Sequence, residues 1–138
     1  MKKITIINGV NLGLTGKRET DIYGATSFDD FLTGLRQKFP NCEISFFQSD
    51  DLSEVVAKLH ESDGCDGIIL NPGAFTHTSI ILADTIKSLK TNVIEVHISN
   101  LFGREKFRRE SMIASVCRGS ISGFGLKGYE LAIFYFLN

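Results

Sequence analysis

A doubly wound α/β fold is what the sequence predicts, on three observations. Short apolar runs alternate with amphipathic segments along the chain. The apolar runs, such as GIIL, are nearly continuous, as in a sheet covered on both faces. The segments between them repeat their apolar residues at helical spacing. The 138 residues, 43% hydrophobic and 22% charged, match one globular domain spanning 1–138, with a core that needs no disulfide or metal.

Each element follows from its own pattern. Lys3–Asn8 (KITIIN) reads as a buried strand. Ser27–Phe39 reads as a helix, because Phe28, Phe31, Leu32, Leu35 and Phe39 fall on one face. Ser27 is its N-cap, and Asp30 three residues on gives an Asp version of the capping box. Cys42–Gln48 is the second strand, and Leu52–Ser62 a helix with Leu52, Val55, Val56 and Leu59 aligned. Asp66–Leu70, Val93–Ile98 and Ser120–Phe124 are the remaining strands; Thr78–Lys90, Arg104–Cys117 and Leu126–Leu137 are the remaining helices. Five such βα units give parallel strands with right-handed crossovers and helices on both faces. The expected architecture is therefore a flavodoxin-like, five-stranded parallel sheet. Ligands in such sheets bind beyond the carboxyl ends of the strands, at the topological switch point.

Composition narrows the function classes. A net charge of -1 carries no electrostatic footprint for nucleic acid or an anionic membrane. No apolar run approaches the roughly 20 residues that cross a bilayer. No signal peptide is read at the start, where two lysines follow Met1 at once, so the expected location is the cytoplasm. Cys42, Cys65 and Cys117 are scattered, with no C-x-x-C pair or Cys/His run, so no metal site is expected and the thiols read as reduced packing residues.

Two glycine-rich stretches imitate nucleotide motifs. The loop after the first strand, NGVNLGLTGKRETDIYG, fails as a Walker A motif, since that needs Gly at 11 and Ser or Thr at 18, where Asn11 and Arg18 stand. GFGLKG, Gly123–Gly128, matches a dinucleotide fingerprint, but the further strand and acidic residue about 20 positions on are missing. It is expected to make a tight strand-to-helix turn. No cofactor is implied.

Three constellations carry chemistry. NPGAFTHTS, Asn71–Ser79, turns at Pro72-Gly73 and enters a helix whose N-terminus suits a carboxylate; Asn71 adds a side-chain donor and His77 a partner for a hydroxyl. The plain alternative is a capped turn, with Thr78 or Ser79 as cap and His77 solvated. In EVHISN, strand alternation puts Glu95, His97 and Ser99 on one face, where a carboxylate can orient an imidazole and favour its protonated form. The alternative is a satisfied structural pair. In REKFRRES, Arg104 and Arg108 stand four apart on one helical face, either as a basic wall beside EVHISN or as a solvated charged face. The long first loop then finds a use. Arg18, five residues before Tyr23, can lower the phenol from its usual value of about 10, making a general base on a lid. One base, one acid and an anion cradle suggest proton abstraction beside a carbonyl with loss of water. A binding module for a small anion, without chemistry, is the competing reading.

NGVNLGLTGKRETDIYG, NPGAFTHTS, EVHISNLFGREKFRRES and GFGLKGYELAI, in order and spacing from about Ile4 to Ala132, resemble the type II 3-dehydroquinate dehydratases. The resemblance implies a cofactor-free, flavodoxin-like hydro-lyase that converts 3-dehydroquinate to 3-dehydroshikimate in the shikimate pathway, assembled as a dodecamer of four trimers. It implies Tyr23 as base with Arg18 depressing its pKa, and Asn11 holding a water that stabilises the enolate. His97 becomes the acid for the departing hydroxyl, with Glu95 as its orienting carboxylate. Asn71 and the backbone of Ile98 and Ser99 become the carboxylate cradle. His77 and Arg108 bind ring hydroxyls, Asp84 reaches into a neighbouring subunit's site, and Arg104 lies near the base. The sequence departs from the family at Val10 and Thr20, where prolines are usual, and at Phe102, where His is common. Without those prolines the lid is expected to move more freely, affecting turnover rather than identity. A member with its structure kept and its activity lost is the remaining alternative; the intact Arg18, Tyr23 and His97 argue against it.

Overall fold

The computed structural model describes residues 1–10 and 27–138, apart from the side chain of Arg108. Five parallel strands, β1 (Lys2–Asn8), β2 (Cys42–Gln48), β3 (Gly67–Asn71), β4 (Val93–His97) and β5 (Gly119–Ser122), form one sheet. Their order is β2-β1-β3-β4-β5, the flavodoxin-like arrangement, so the switch point lies between β1 and β3. The α-helices are α1 (Phe28–Lys38), α2 (Leu52–Ser62), α3 (Ile80–Ser88) and α4 (Lys127–Leu137).

Strand alternation sorts the core onto two faces. Ile4 and Ile6 of β1, Ile69 of β3 and Ile94 and Val96 of β4 pack with Leu32 and Leu35 of α1 and Tyr129, Ile133 and Phe136 of α4. Ile7, Ile68, Leu70 and Val93 face the other way, against Val55 and Leu59 of α2 and Leu82 and Ile86 of α3. Each such side chain contributes about 1.5–3 kcal/mol by leaving water. Glu95 and His97 share the second face with Val93, so two polar groups are built into an apolar layer and must find partners there.

The helix starts follow the sequence. Ser27 Oγ accepts the backbone N–H of Asp30 at 3.2 Å. Ser79, rather than Thr78, caps α3, its Oγ accepting from Leu82 N–H at 2.9 Å. The helix expected over Thr78–Lys90 is shorter because Gly73–His77 forms its own 3-10 turn ahead of that cap.

The expected helix Arg104–Cys117 is absent. In its place stand short 3-10 turns at Leu101–Gly103, Lys106–Arg108 and Ala114–Val116, joined by extended chain. The backbone explains why. Met112 N–H donates to Thr76 O at 2.8 Å, a tertiary bond in place of a helical one. Ser111 Oγ accepts from the N–H groups of Ile113 and Ala114, a local side-chain alternative to the helix ladder. Phe107 is 68% exposed, so the apolar periodicity that suggested a helix does not face the core. Arg104 and Arg108 therefore do not share a helical face.

GFGLKG is a strand-to-helix turn, as its sequence predicts. Gly123 N–H donates to His97 O and Gly125 N–H to Ile98 O, tying the turn to the end of β4. Among the described residues no helix is long and apolar enough to cross a membrane.

Candidate active site

The carboxyl ends of β1 and β3 interlock at the switch point. Asn8 pairs with Asn71 in register, and Gly9 N–H donates to Asn71 O at 2.7 Å. A side chain at Gly9 would place its Cβ 2.5 Å from Pro72 O, so only glycine lets the two loops meet this closely. Gly73 is packed in the same way against the carbonyl of Val10. The Asn-Gly and Asn-Pro-Gly pairs of the sequence are thus two halves of one joint.

Beneath this joint runs a buried polar chain. Asn71 Nδ2 donates to the hydroxyl of Tyr129 at 2.9 Å, and that hydroxyl donates to Asn8 Oδ1 at 2.8 Å. Asn71 Oδ1 accepts from Gly73 N–H at 3.3 Å, which shapes the turn. Asn71 is 3% exposed and uses one amide hydrogen internally; the second is what it has to offer a ligand. Sequence reading missed Asn8 and Tyr129. The signal for Tyr129 was a phenol on the apolar face of a helix, which must bring its hydroxyl a partner.

Next to β3, β4 carries the ionisable pair. Leu70 pairs with Glu95, so Asn71 and His97 end neighbouring strands. Glu95 is fully buried, His97 is 5% exposed, and Glu95 Oε2 accepts from His97 Nε2 at 2.6 Å. Burial alone would push the Glu95 carboxyl up. The hydrogen bond and charge of His97, helped by the hydroxyls of Ser111 and Ser120, overcome it and hold the carboxyl below its ordinary value. Because Nε2 is committed to Glu95, Nδ1 is the nitrogen through which His97 can exchange a proton with a ligand.

The loops after β3 and β4 are tied together. His77, half-buried, donates from Nδ1 to Glu110 O at 2.6 Å, leaving Nε2 as its other polar atom. Arg104 Nη1 donates to Ser99 Oγ at 3.3 Å, so this arginine does lie against the end of EVHISN. The carbonyls of Ile98 and Ser99 accept from Gly125 N–H and Ser122 Oγ, which fixes the backbone just beyond β4. Asp84 is on the exposed side of α3 and is not brought to this group. Asn11, Arg18 and Tyr23, with the lid expected there, lie outside the described residues, as does the side chain of Arg108.

The thiols take no obvious part. Burial and the nearby charge of Glu95 push Cys117 up to about 12, so it is not a thiolate at neutral pH. Burial likewise raises Cys42. Among the described residues no group of three His, Cys, Asp or Glu is placed to hold a metal ion.

Comparison with known proteins places this geometry. Residues 2–137 match the family described as dehydroquinase class II. The chain is 46% identical over 138 residues to a 3-dehydroquinate dehydratase of Caldicellulosiruptor saccharolyticus, covering 97% of this chain and 95% of that one. It is 47% identical over 145 residues to a 3-dehydroquinate dehydratase of Bacillus licheniformis, covering 100% and 97%. The fold superposes on the type II dehydroquinase of Butyrivibrio crossotus with a TM-score of 0.95 at 39% identity, covering 99% and 98%. For the type II dehydroquinase of Propionibacterium acnes the TM-score is 0.93 at 36% identity, covering 100% and 98%. The chain belongs to the dehydroquinase class II family.

Proposed function

We propose that this chain is a 3-dehydroquinate dehydratase, a hydro-lyase that removes water from 3-dehydroquinate to give 3-dehydroshikimate in the shikimate pathway. One observation carries the reading: a buried Glu95–His97 pair ends β4 beside the Asn71–His77 turn, in a chain of the dehydroquinase class II family. In this reading the Tyr23 phenolate, stabilised by Arg18, takes the proton beside the ketone. The electron pair moves onto the ketone oxygen, and a water held by Asn11 stabilises the enolate. The enolate collapses, the C–O bond breaks, and His97 gives its proton to the departing hydroxyl, which leaves as water. Asn71 and the N–H groups of Ile98 and Ser99 hold the carboxylate, while His77 and Arg108 hold ring hydroxyls.

The same reading makes the chain a homo-oligomer, a dodecamer of four trimers, at work in the cytoplasm, with Asp84 presented to a neighbouring copy's site. The outer side of α3 supports this. Ile80 and Ile81, 63% and 62% exposed, lie within one turn of Asp84 and form an apolar surface that a second copy would cover.

The test is direct. Purified protein given 3-dehydroquinate produces an enone seen by its near-ultraviolet absorbance, and sedimentation gives the mass of an oligomer. Borohydride added with substrate leaves activity intact, because the route has no Schiff base to trap. Absence of the enone signal at high enzyme concentration would refute the assignment.

A further inference from the structure

Two hydroxyls that the mechanism does not name converge on Glu95. Its Oε2 accepts from Ser111 Oγ at 2.5 Å as well as from His97, and its Oε1 accepts from Ser120 Oγ at 2.9 Å. Ser120 is delivered by sheet register, since β4 and β5 pair Glu95 with Ser120 directly. Ser111 is delivered by the irregular stretch that replaces the expected helix. Its oxygen accepts the N–H groups of Ile113 and Ala114, which occupies both lone pairs. Its single proton can then serve only the carboxylate, so it is a directed donor and not a rotating one.

We infer that Ser111 and Ser120 are positioning residues for the dehydration, acting through Glu95 to fix the orientation and proton affinity of His97. This rests on the proposed reading in which His97 is the acid. The geometric half of the argument concerns rotation. His97 is held at Nε2 by a carboxylate that would swing about its last torsion if only one oxygen were bound. The two serines pin both oxygens, and with them the plane in which the ring lies. The electrostatic half concerns what remains after proton transfer. While His97 carries its proton, the imidazolium balances Glu95. Once it is given up, the two hydroxyls are what compensate the buried charge, so they favour the state after transfer over the state before it. The other ionisable groups nearby are common to wild type and the serine variants: Cys117 stays a thiol, Arg104 lies against Ser99 and 3.9 Å from Glu105, and His77 is bound to the carbonyl of Glu110.

The experiment uses Ser111→Ala and Ser120→Ala, with Ser111→Thr and Ser120→Thr as variants that keep the hydroxyl. Turnover is followed against pH, and the His97 imidazole is titrated by NMR in unliganded protein. Each alanine lowers kcat about 3- to 30-fold with KM changed less than about twofold. It also moves the alkaline limb of the profile to higher pH. Threonine returns the limb toward wild type. Ser120→Ala is the cleaner variant, because Ser111 also serves the backbone. Folded alanine variants with both the limb and the NMR midpoint unmoved overturn the inference, even if stability falls. If wild type shows no dehydratase activity but the NMR midpoint still moves in the alanine variants, the functional reading fails while the hold of the serines on His97 stands.

Discussion

Replacing His97 by glutamine leaves a folded protein that turns over 3-dehydroquinate about 10²–10⁴-fold more slowly. Glutamine is chosen because its side-chain N–H reaches toward Glu95 as the imidazole Nε2 does, so the buried carboxylate keeps a donor. What glutamine lacks is a proton to give at the other end. The loss therefore reports acid catalysis and not a collapsed site, provided the thermal midpoint stays within a few degrees of wild type. The two proton transfers can also be separated. The enolate forms before the hydroxyl leaves, so His97→Gln still exchanges the proton beside the ketone with deuterated solvent. Tyr23→Phe, which removes the proposed base, loses both exchange and turnover. Turnover by His97→Gln within about fivefold of wild type would mean that water or another group protonates the leaving hydroxyl.

Most of the fold was legible because each element satisfies a local rule. The strands are short apolar runs that any covered sheet would accept, and α1 and α2 carry one apolar face each. Ser27 and Ser79 cap their helices through their own hydroxyls, a contact a few residues long and readable in one dimension. Arg104–Cys117 misled for the opposite reason. Met112 N–H and Glu110 O go to distant partners, Thr76 and His77, other backbone groups go to the Ser111 hydroxyl and to short 3-10 turns, and its apolar residues are divided between solvent and core. Periodicity reports burial on one face, and it says nothing when a segment is shaped by what it must reach.

The site divides along the same line. Glu95 and His97 sit two apart on a strand, so alternation alone brings them together. Ser120 needs the register between β4 and β5, which no single strand contains. Tyr129 needs α4 to cross the end of β3, and Ser111 needs a loop to fold under β4. Among the described residues, those proposed to act on substrate, such as Asn71 and His97, stand at strand ends, where the fold class directs attention. Residues that hold them in place come from elsewhere in the chain and carry only the weak signal of a polar group in apolar surroundings.

Glu95→Gln destabilises the protein by about 2–4 kcal/mol at pH 7, and the difference disappears in acid. The carboxylate accepts three hydrogen bonds with no access to water. A glutamine amide is neutral and keeps only one acceptor oxygen, so the charge-assisted bonds are lost and the group facing its nitrogen can no longer donate there. The pH dependence has a fixed sign. Glu95 is held below its ordinary value of 4.5 in the folded protein, so the folded state binds this proton less readily than the unfolded state does. Its contribution is complete above the unfolded value and drains away as pH falls through the folded one. Urea midpoints of wild type and Glu95→Gln should therefore be well apart from pH 7 down to about 5, and converge as the wild-type carboxyl takes up its proton below that. A gap that instead grew as pH fell from 7 to about 4.5, and was constant below that, would mean that the carboxyl is held neutral in the fold. His97 would then lack the fixed negative partner that the dehydration reading requires.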